Sequence, residues 1–451
     1  MENTHLLPGS TVKLWAMKMK KAVASLGSSF WFLPTMLIAL ALFFALYLFP
    51  YFSSYLVKPN LLNTLDIANP STAMQVVQVV ASSLMTVSSI VFSMTLVTLV
   101  MASNSFGPRI IRSFMQNKKT QFVLGFLSAS FVYCLLVLSQ IQVDAAQATL
   151  PVLSVFVTLV LAVLCVFVLI FFIHHVAVSI RADTVVEEIA KSLLLDMTRL
   201  QENHGRRESV ELGQKPYERY EYQSAVSTRL MGYIEAIEYA QLAEVAAKYK
   251  GIIDMHTHAG KYIYPDSQVA VLYSNEALPD SICLDESIII GTQRTPLQDP
   301  QFAINQLVEM ALRALSPSMD DPFTAMTCID KLTGALATFH EKNLPKTMVL
   351  DADLTARVLT NEETFDKLFA GAFTQIRQSS ITQTAVLCHL LDVFYNLLIA
   401  KQDAEHLIHP ISMQVRAIEQ SLQAHNVLKN DADKKAVSER IRCITDRVNK
   451  Q

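Results

Sequence analysis

Gln75, Gln78, Ser82, Thr86, Ser89 and Ser93 interrupt a long apolar run, and at 100° per residue all six fall within roughly 40° of Ser82 on a helix. A narrow stripe of uncharged polar groups in a membrane helix has two possible destinations. One is water, in a pore or vestibule formed by several copies or by the helices of one chain. The other is a neighbouring helix, because small hydroxyl residues let backbones approach and bond across the interface. The same face runs on into Leu96, Val97 and Val100, and a ring of such side chains closes a pore by dewetting. Asn104 and a Gly107-Pro108 break follow, and then Arg109, Arg112, Lys118 and Lys119 around Ile110, Ile111, Phe114 and Met115. This basic, amphipathic elbow can lie on an anionic membrane surface, where each basic residue contributes about 1 kcal/mol, or it can simply set topology.

Three other groups could do chemistry. Asp254-Met-His256-Thr-His258 resembles the first metal motif of amidohydrolases, since alternation along a strand puts both imidazoles on one face. That chemistry needs a barrel with further ligands at later strand ends, whereas the sequence beyond is helical, so structural histidines are expected here and at His406 and His409. Arg294, Gln298, Asp299, Arg313, Asp320 and Asp321 gather around two helix starts; they form either a ligand pocket or a pair of caps, with Asp299 and Asp321 capping and Arg313 pairing with an acid across the turn. The 12 glycines never occur as Gly-x-Gly, and there is neither Gly-Lys-Ser/Thr nor Gly-x-Ser-x-Gly, which excludes the common nucleotide and serine-hydrolase enzymes. No metal, cofactor or catalytic residue is expected.

The elements that must position these residues begin with the membrane. The chain has 451 residues, 51% hydrophobic and 17% charged, and 37 Lys+Arg against 40 Asp+Glu leave no basic excess for a nucleic-acid backbone. Phe30–Tyr51, Val76–Ala102, Phe122–Ile141 and Leu150–Ile173 each suffice for a bilayer core of about 30 Å. None contains Asp, Glu, Lys, Arg or an internal His, against proton-coupled transport and bis-His haem; His174 and His175 sit at the edge of the last span. Gln383–Ala400, interrupted by Asp392, reads as a buried helix. Lys13, Lys18, Lys20 and Lys21 precede the first span, and the elbow's basic residues follow the second. The other two loops hold only Lys58, Asp66 and Asp144, which places both termini in the cytoplasm. The six cysteines are far apart and read as reduced packing residues.

Val185, Val186, Ile189, Leu193, Met197 and Leu200 predict a stalk helix, and polar Gln201–Gly213 with His204, Arg206 and Arg207 a linker. Strands are predicted at Leu230–Ile237, Ile252–His258, Tyr262–Tyr264, Val269–Tyr273 and Ser287–Ile290, with a helix at Ala240–Tyr249. Everything beyond is predicted helical: a hairpin starting at Asp299-Pro300 and Asp321-Pro322, turning at Ser316–Asp320, then Asn361–Gln378, Thr382–Ala400, Ala404–His425 and Asp431–Val448. The expected fold is a membrane α-helical domain with four transmembrane helices (1–180), a stalk and linker (181–215), and a cytoplasmic α+β part. The last comprises a small β-rich module (216–293) and a helical C-terminal part (294–451).

Gly291-Thr-Gln-Arg294-Thr295-Pro-Leu-Gln298-Asp299, Gln306-Leu-Val, Arg313-Ala-Leu-Ser316-Pro317 and Asp321-Pro322 resemble the hallmark segment of the bacterial family of predicted membrane proteins with domain of unknown function 2254. Val91-Phe-Ser93, Ser105-Phe-Gly-Pro-Arg109, Phe131-Val-Tyr133 and Gln375-Ile-Arg377 extend the resemblance over most of the chain. The family pattern has Asn where this chain has Asp320. The resemblance implies a bacterial inner-membrane protein and supplies no reaction. The expected activity is therefore an oligomeric pore lined by the second span; the alternative is a membrane-anchored scaffold or sensor whose cytoplasmic part binds a partner or small ligand. The expected partners are the lipid bilayer, further copies of the chain and a cytoplasmic partner of unspecified kind, with no nucleic acid.

Overall fold

The computed structural model describes residues 30–48, 69–115, 117–141, 152–205, 208–209, 216–277, 279, 282, 284–338, 347–350, 355–361, 363–400, 405–425, 428 and 430–450. Lys13, Lys18, Lys20, Lys21, Tyr51, Lys58, Asp66, Asp144, Arg206, Arg207 and Gly213, on which the expected topology and linker rest, lie outside them. The chain divides into two compact units, Met1–Arg181 and Ala182–Gln451.

The first unit holds α1 (Phe32–Phe43, continued by a π-helical turn Phe44–Leu48), α2 (Pro70–Phe106), α3 (Pro108–Met115), α4 (Lys118–Gln140) and α5 (Val152–Ser179). Asn69 starts α2 by accepting the Ser71 N–H at 3.3 Å, with Pro70 at the first helical position, where a missing N–H costs nothing. Asn117 starts α4 in the same way, accepting the Lys119 N–H at 3.0 Å. At its far end α2 stops because Gly107 has φ 98° and ψ 161°, a region closed to residues with a Cβ, and Pro108 cannot supply the next helical N–H. Pro70–Phe106, Lys118–Gln140 and Leu153–Ser179 are long and apolar enough to cross a membrane. Of the four expected spans, the first is the exception: its described helix, Phe32–Tyr47, is shorter than a span.

Along α2 the buried residues Ala73, Val77, Ala81, Leu84, Ser88 and Val91 are spaced four, four, three, four and three, the seam of a packed helix pair. They meet α4 and α5, and α4 also carries α1. The Tyr133 hydroxyl donates to the Ser154 carbonyl of α5 at 3.3 Å, and Gln140 Nε2 donates to the Ala45 carbonyl in the π-helical turn at 3.0 Å.

The second unit opens with α6 (Ala182–Gly205), then β1 (Glu208–Ser209), β2 (Tyr222–Ser227), β3 (Gly232–Ile237), α7 (Tyr239–Lys248), β4 (Ile252–Met255), β5 (Tyr262–Ile263), β6 (Gln268–Ser274) and β7 (Ile288–Gly291). There follow α8 (Pro300–Ala314), α9 (Pro322–Leu336), β8 (Thr347–Leu350), β9 (Ala356–Leu359), α10 (Phe365–Ser380), α11 (Thr384–Ala400), α12 (Glu405–His425) and α13 (Asp431–Val448). One sheet has the order β1-β8-β9-β4-β6-β2, antiparallel except for the parallel pair β4–β9, where Ile253 faces Val358; the other has the order β5-β3-β7. Helix α7 covers β4 and β9, burying Leu242, Ala243 and Ala246 with Ile253, Leu272 and Val358. The expectation that everything past residue 293 is helical is corrected by β8 and β9. These runs are only four residues each, and what makes them strands is their pairing with each other and with two distant strands, β9 on the open edge of β4 and β8 on β1.

The stripe that predicted the stalk helix, Val185, Val186, Ile189, Leu193 and Met197, is buried, and α6 packs on α8 and α9. Glu187 of α6 pairs with Lys331 of α9 at 2.6 Å. The C-terminal helices share a core in which Phe369 and Phe373 of α10 meet Phe394 of α11 with ring centroids 5.6 and 5.1 Å apart. Helix α11 tolerates Asp392 because Arg440 of α13 donates to it at 2.7 Å. Burial pushes the Cys328 thiol up to about 12, which leaves it a packing residue rather than a nucleophile.

Candidate functional site

Gln75, Gln78, Ser82, Thr86, Ser89 and Ser93 are all exposed, on the side of α2 opposite its buried seam. The stripe therefore faces away from the helices of its own chain. Ser82 donates to the Val79 carbonyl at 3.0 Å, Thr86 to Ser82 at 3.1 Å and Ser89 to Met85 at 2.9 Å, so these protons are satisfied within the helix while the oxygens remain free to accept. Leu96, Val97 and Val100 continue the exposed face at 63%, 55% and 59% exposure. Beyond Gly107, α3 buries Ile110; Arg109 and Arg112 lie on this helix, and Lys118 and Lys119 are exposed at the start of α4.

The six polar residues of the second unit separate into two sets at opposite ends of α8, a helix of 15 residues and so about 22 Å long. At its start Asp299 occupies the capping position but makes no cap bond. Both its oxygens go to Arg294 instead, Nε at 2.7 Å and Nη2 at 2.9 Å. The carboxyl is 3% exposed; burial raises its pKa, against which the Arg294 guanidinium acts. Gly260, at φ 85°, lets the backbone pass so close that a Cβ there would sit 2.3 Å from Asp299 Oδ2 and 2.8 Å from Arg294 Nη2. Gln298 closes the end of β3: its Oε1 accepts the Ile237 N–H at 2.9 Å and its Nε2 donates to the Ile237 carbonyl at 3.2 Å.

At the other end, Asp321 does cap its helix, accepting the Thr324 N–H at 3.1 Å. Asp320 has φ 46°, a left-handed conformation that Asp and Asn tolerate better than other residues with a Cβ. Arg313, expected to pair with an acid across the turn, pairs with Glu309 one turn back in its own helix at 3.4 Å. Replacing Asp320 with Val should cost about 1–2 kcal/mol in unfolding free energy, and with Asn close to nothing. An equal cost for both would remove the backbone explanation.

Strand β4 ends at Met255, so alternation does not carry through to His258. His256 lies 3.8 Å from Asp254, and His258 lies 3.8 Å from Glu363, so the two imidazoles take separate acids. Among the described residues no group of three or more His, Cys, Asp or Glu is placed to hold a metal. His406 is buried with its ring edge-on to Phe365, and His409 lies 3.9 Å from Asp366.

Arg377 carried no role in the sequence reading. It is 9% exposed on α10, its Nε donates to Gln414 Oε1 of α12 at 3.0 Å, and Gln414 Nε2 donates to Thr374 at 3.0 Å. A pair 37 residues apart leaves no local signal.

An uncharacterized protein of Mycobacterium bovis and one of Mycobacterium tuberculosis are each 28% identical to this chain over 288 residues, 61% of this chain and 54% of theirs. The chain thus spans about half the length of the curated relatives it matches. No solved structure matches it. The family described as "Predicted membrane protein (DUF2254)" matches residues 27–396, and with most of the sequence covered, including the polar helix and the Arg294–Asp299 pair, the chain belongs to that family.

Proposed function

We propose that several copies of this chain assemble a pore in a bacterial inner membrane, with α2 lining it, Leu96, Val97 and Val100 closing it, and both termini in the cytoplasm. One observation carries the reading: the whole polar stripe of α2 is exposed, opposite the seam that binds its own bundle. Two glutamine amides and a row of hydroxyl oxygens on a bilayer-facing surface favour a polar destination, and other copies of the same surface, enclosing water, provide one. The absence of ionisable groups on this face suits weakly selective flow. The basic residues of the elbow support the orientation.

The test is current across a planar bilayer containing the purified full chain, with and without tension. Discrete currents are expected, larger by severalfold in Val100→Ser, which wets the constriction, and abolished in Ser89→Trp with assembly unchanged. Silence from correctly assembled protein, or undiminished flux in Ser89→Trp, overturns the reading. The alternative, a scaffold or sensor, would then draw on the groove of about 510 Å³ between α12 and α13, lined by Glu419, Lys434, Arg442 and Asp446 among others.

A further inference from the structure

The seam of α2 has a gap. Continuing its spacing beyond Val91 by four, three and four reaches Thr95, Thr98 and Ala102. Ala102 is buried at 1% exposure, but Thr95 and Thr98 are only half-buried. Both line a crevice of about 130 Å³, with Leu99 of the same helix, Phe114 and Met115 of the elbow, and His175 and Val176 of α5. Thr95 and Thr98 turn their hydroxyl protons onto the Val91 and Met94 carbonyls at 2.7 and 2.8 Å, which leaves the walls largely apolar. About 10–15 Å³ already suffices for one water, so the crevice has room for more than a single ordered water, and most of its wall is apolar.

We propose that an anionic phospholipid of the surrounding bilayer occupies this crevice, its acyl chain among Leu99, Phe114 and Val176 and its phosphate at the start of α4. Charge complementarity selects the headgroup. Lys118 and Lys119 are exposed beside Asn117 and Thr120, which line the crevice. The first turn of α4 adds N–H groups and the positive end of a helix dipole. His175 of α5 also lines the crevice, with its Nδ1 3.4 Å from the Ser179 hydroxyl. Elbow, helix starts and helix ends converge here, so headgroup and acyl chain fall at the depths a bilayer lipid needs. Leu96 of the proposed constriction also lines the crevice, but the lipid inference does not require flux through a pore.

The experiment is native mass spectrometry of the full chain, delipidated in neutral detergent and titrated with phosphatidylglycerol or phosphatidylcholine. At least tenfold preferential retention of phosphatidylglycerol is expected, falling to within twofold in the surface double variant Lys118→Gln/Lys119→Gln. In Leu99→Trp, which fills the crevice, retention of phosphatidylglycerol should fall by a similar factor with the mass of the assembly unchanged. Equal retention of the two lipids by the unaltered chain overturns the proposal, as does undiminished preference in the double lysine variant, which keeps Arg109 and Arg112 to hold the topology. Displacement by inorganic phosphate at millimolar concentration also overturns it, because it would mean that the chain contributes nothing.

Discussion

Replacing Arg294 with methionine is expected to destabilise the Ala182–Gln451 unit by about 3–5 kcal/mol, because it leaves the Asp299 carboxylate buried without its compensating charge. Replacing both residues, as Arg294→Met/Asp299→Leu, is expected to cost far less, since an ion pair whose desolvation exceeds its attraction can give way to apolar groups of similar volume. The direction of the Asp299 shift supports this balance: burial, the largest cause, leaves its pKa raised although the Arg294 guanidinium lowers it. In the single variant that opposition is lost and the pKa rises further. A carboxyl raised above its unfolded value stabilises the fold fully below the unfolded value, near 4, and that contribution is lost as pH rises through the folded value. The deficit of Arg294→Met should therefore shrink as pH falls from neutral towards 4. Urea unfolding of the full chain in detergent, followed by protease protection of the second unit, measures it. A deficit under 1 kcal/mol at neutral pH, or one that grows on acidification, would contradict this account of the pair.

The same pair shows where the sequence stopped being legible. Asp-Pro predicts a cap at both Asp299 and Asp321, and both helices do start there, because proline fixes the backbone whatever the carboxylate does. Which carboxylate caps depends on whether a guanidinium lies nearer, and Arg294 reaches Asp299 only because the chain before α8 folds back past Gly260. Helices with their own amphipathic face and cap were readable almost to the residue, as at Asp431–Val448, where Asn430 accepts the Ala432 N–H. Strands β8 and β9 were not, since the two runs are only four residues each and the strands that flank the pair, β1 and β4, come from over a hundred residues away. In α2 the periodicity gave a stripe of six polar residues, which could have met either water or a neighbouring helix. Packing decides, and it buries Ala73, Val77 and Ala81 while leaving the polar face outside.

Gly260→Ala is expected to be as damaging as Arg294→Met, for two separable reasons. The backbone cost of a Cβ at φ 85° is about 1–2 kcal/mol. The collision cost comes from the 2.3 Å approach to Asp299 Oδ2, which can be relieved only by pushing the carboxylate off Arg294 and leaving it buried and unpaired. The two parts come apart in a double-mutant cycle with Asp299→Ala, which removes the carboxylate and with it the closest atoms to the new methyl group. In that background Gly260→Ala should cost only the backbone part, about 1–2 kcal/mol, so the two substitutions should be strongly non-additive. Additivity within about 0.5 kcal/mol would show that the glycine serves only its own conformation. Non-additivity would show that the loop after β4 and the start of α8 are held by one contact, in which a glycine, a guanidinium and a carboxylate occupy space that leaves no room for an additional atom.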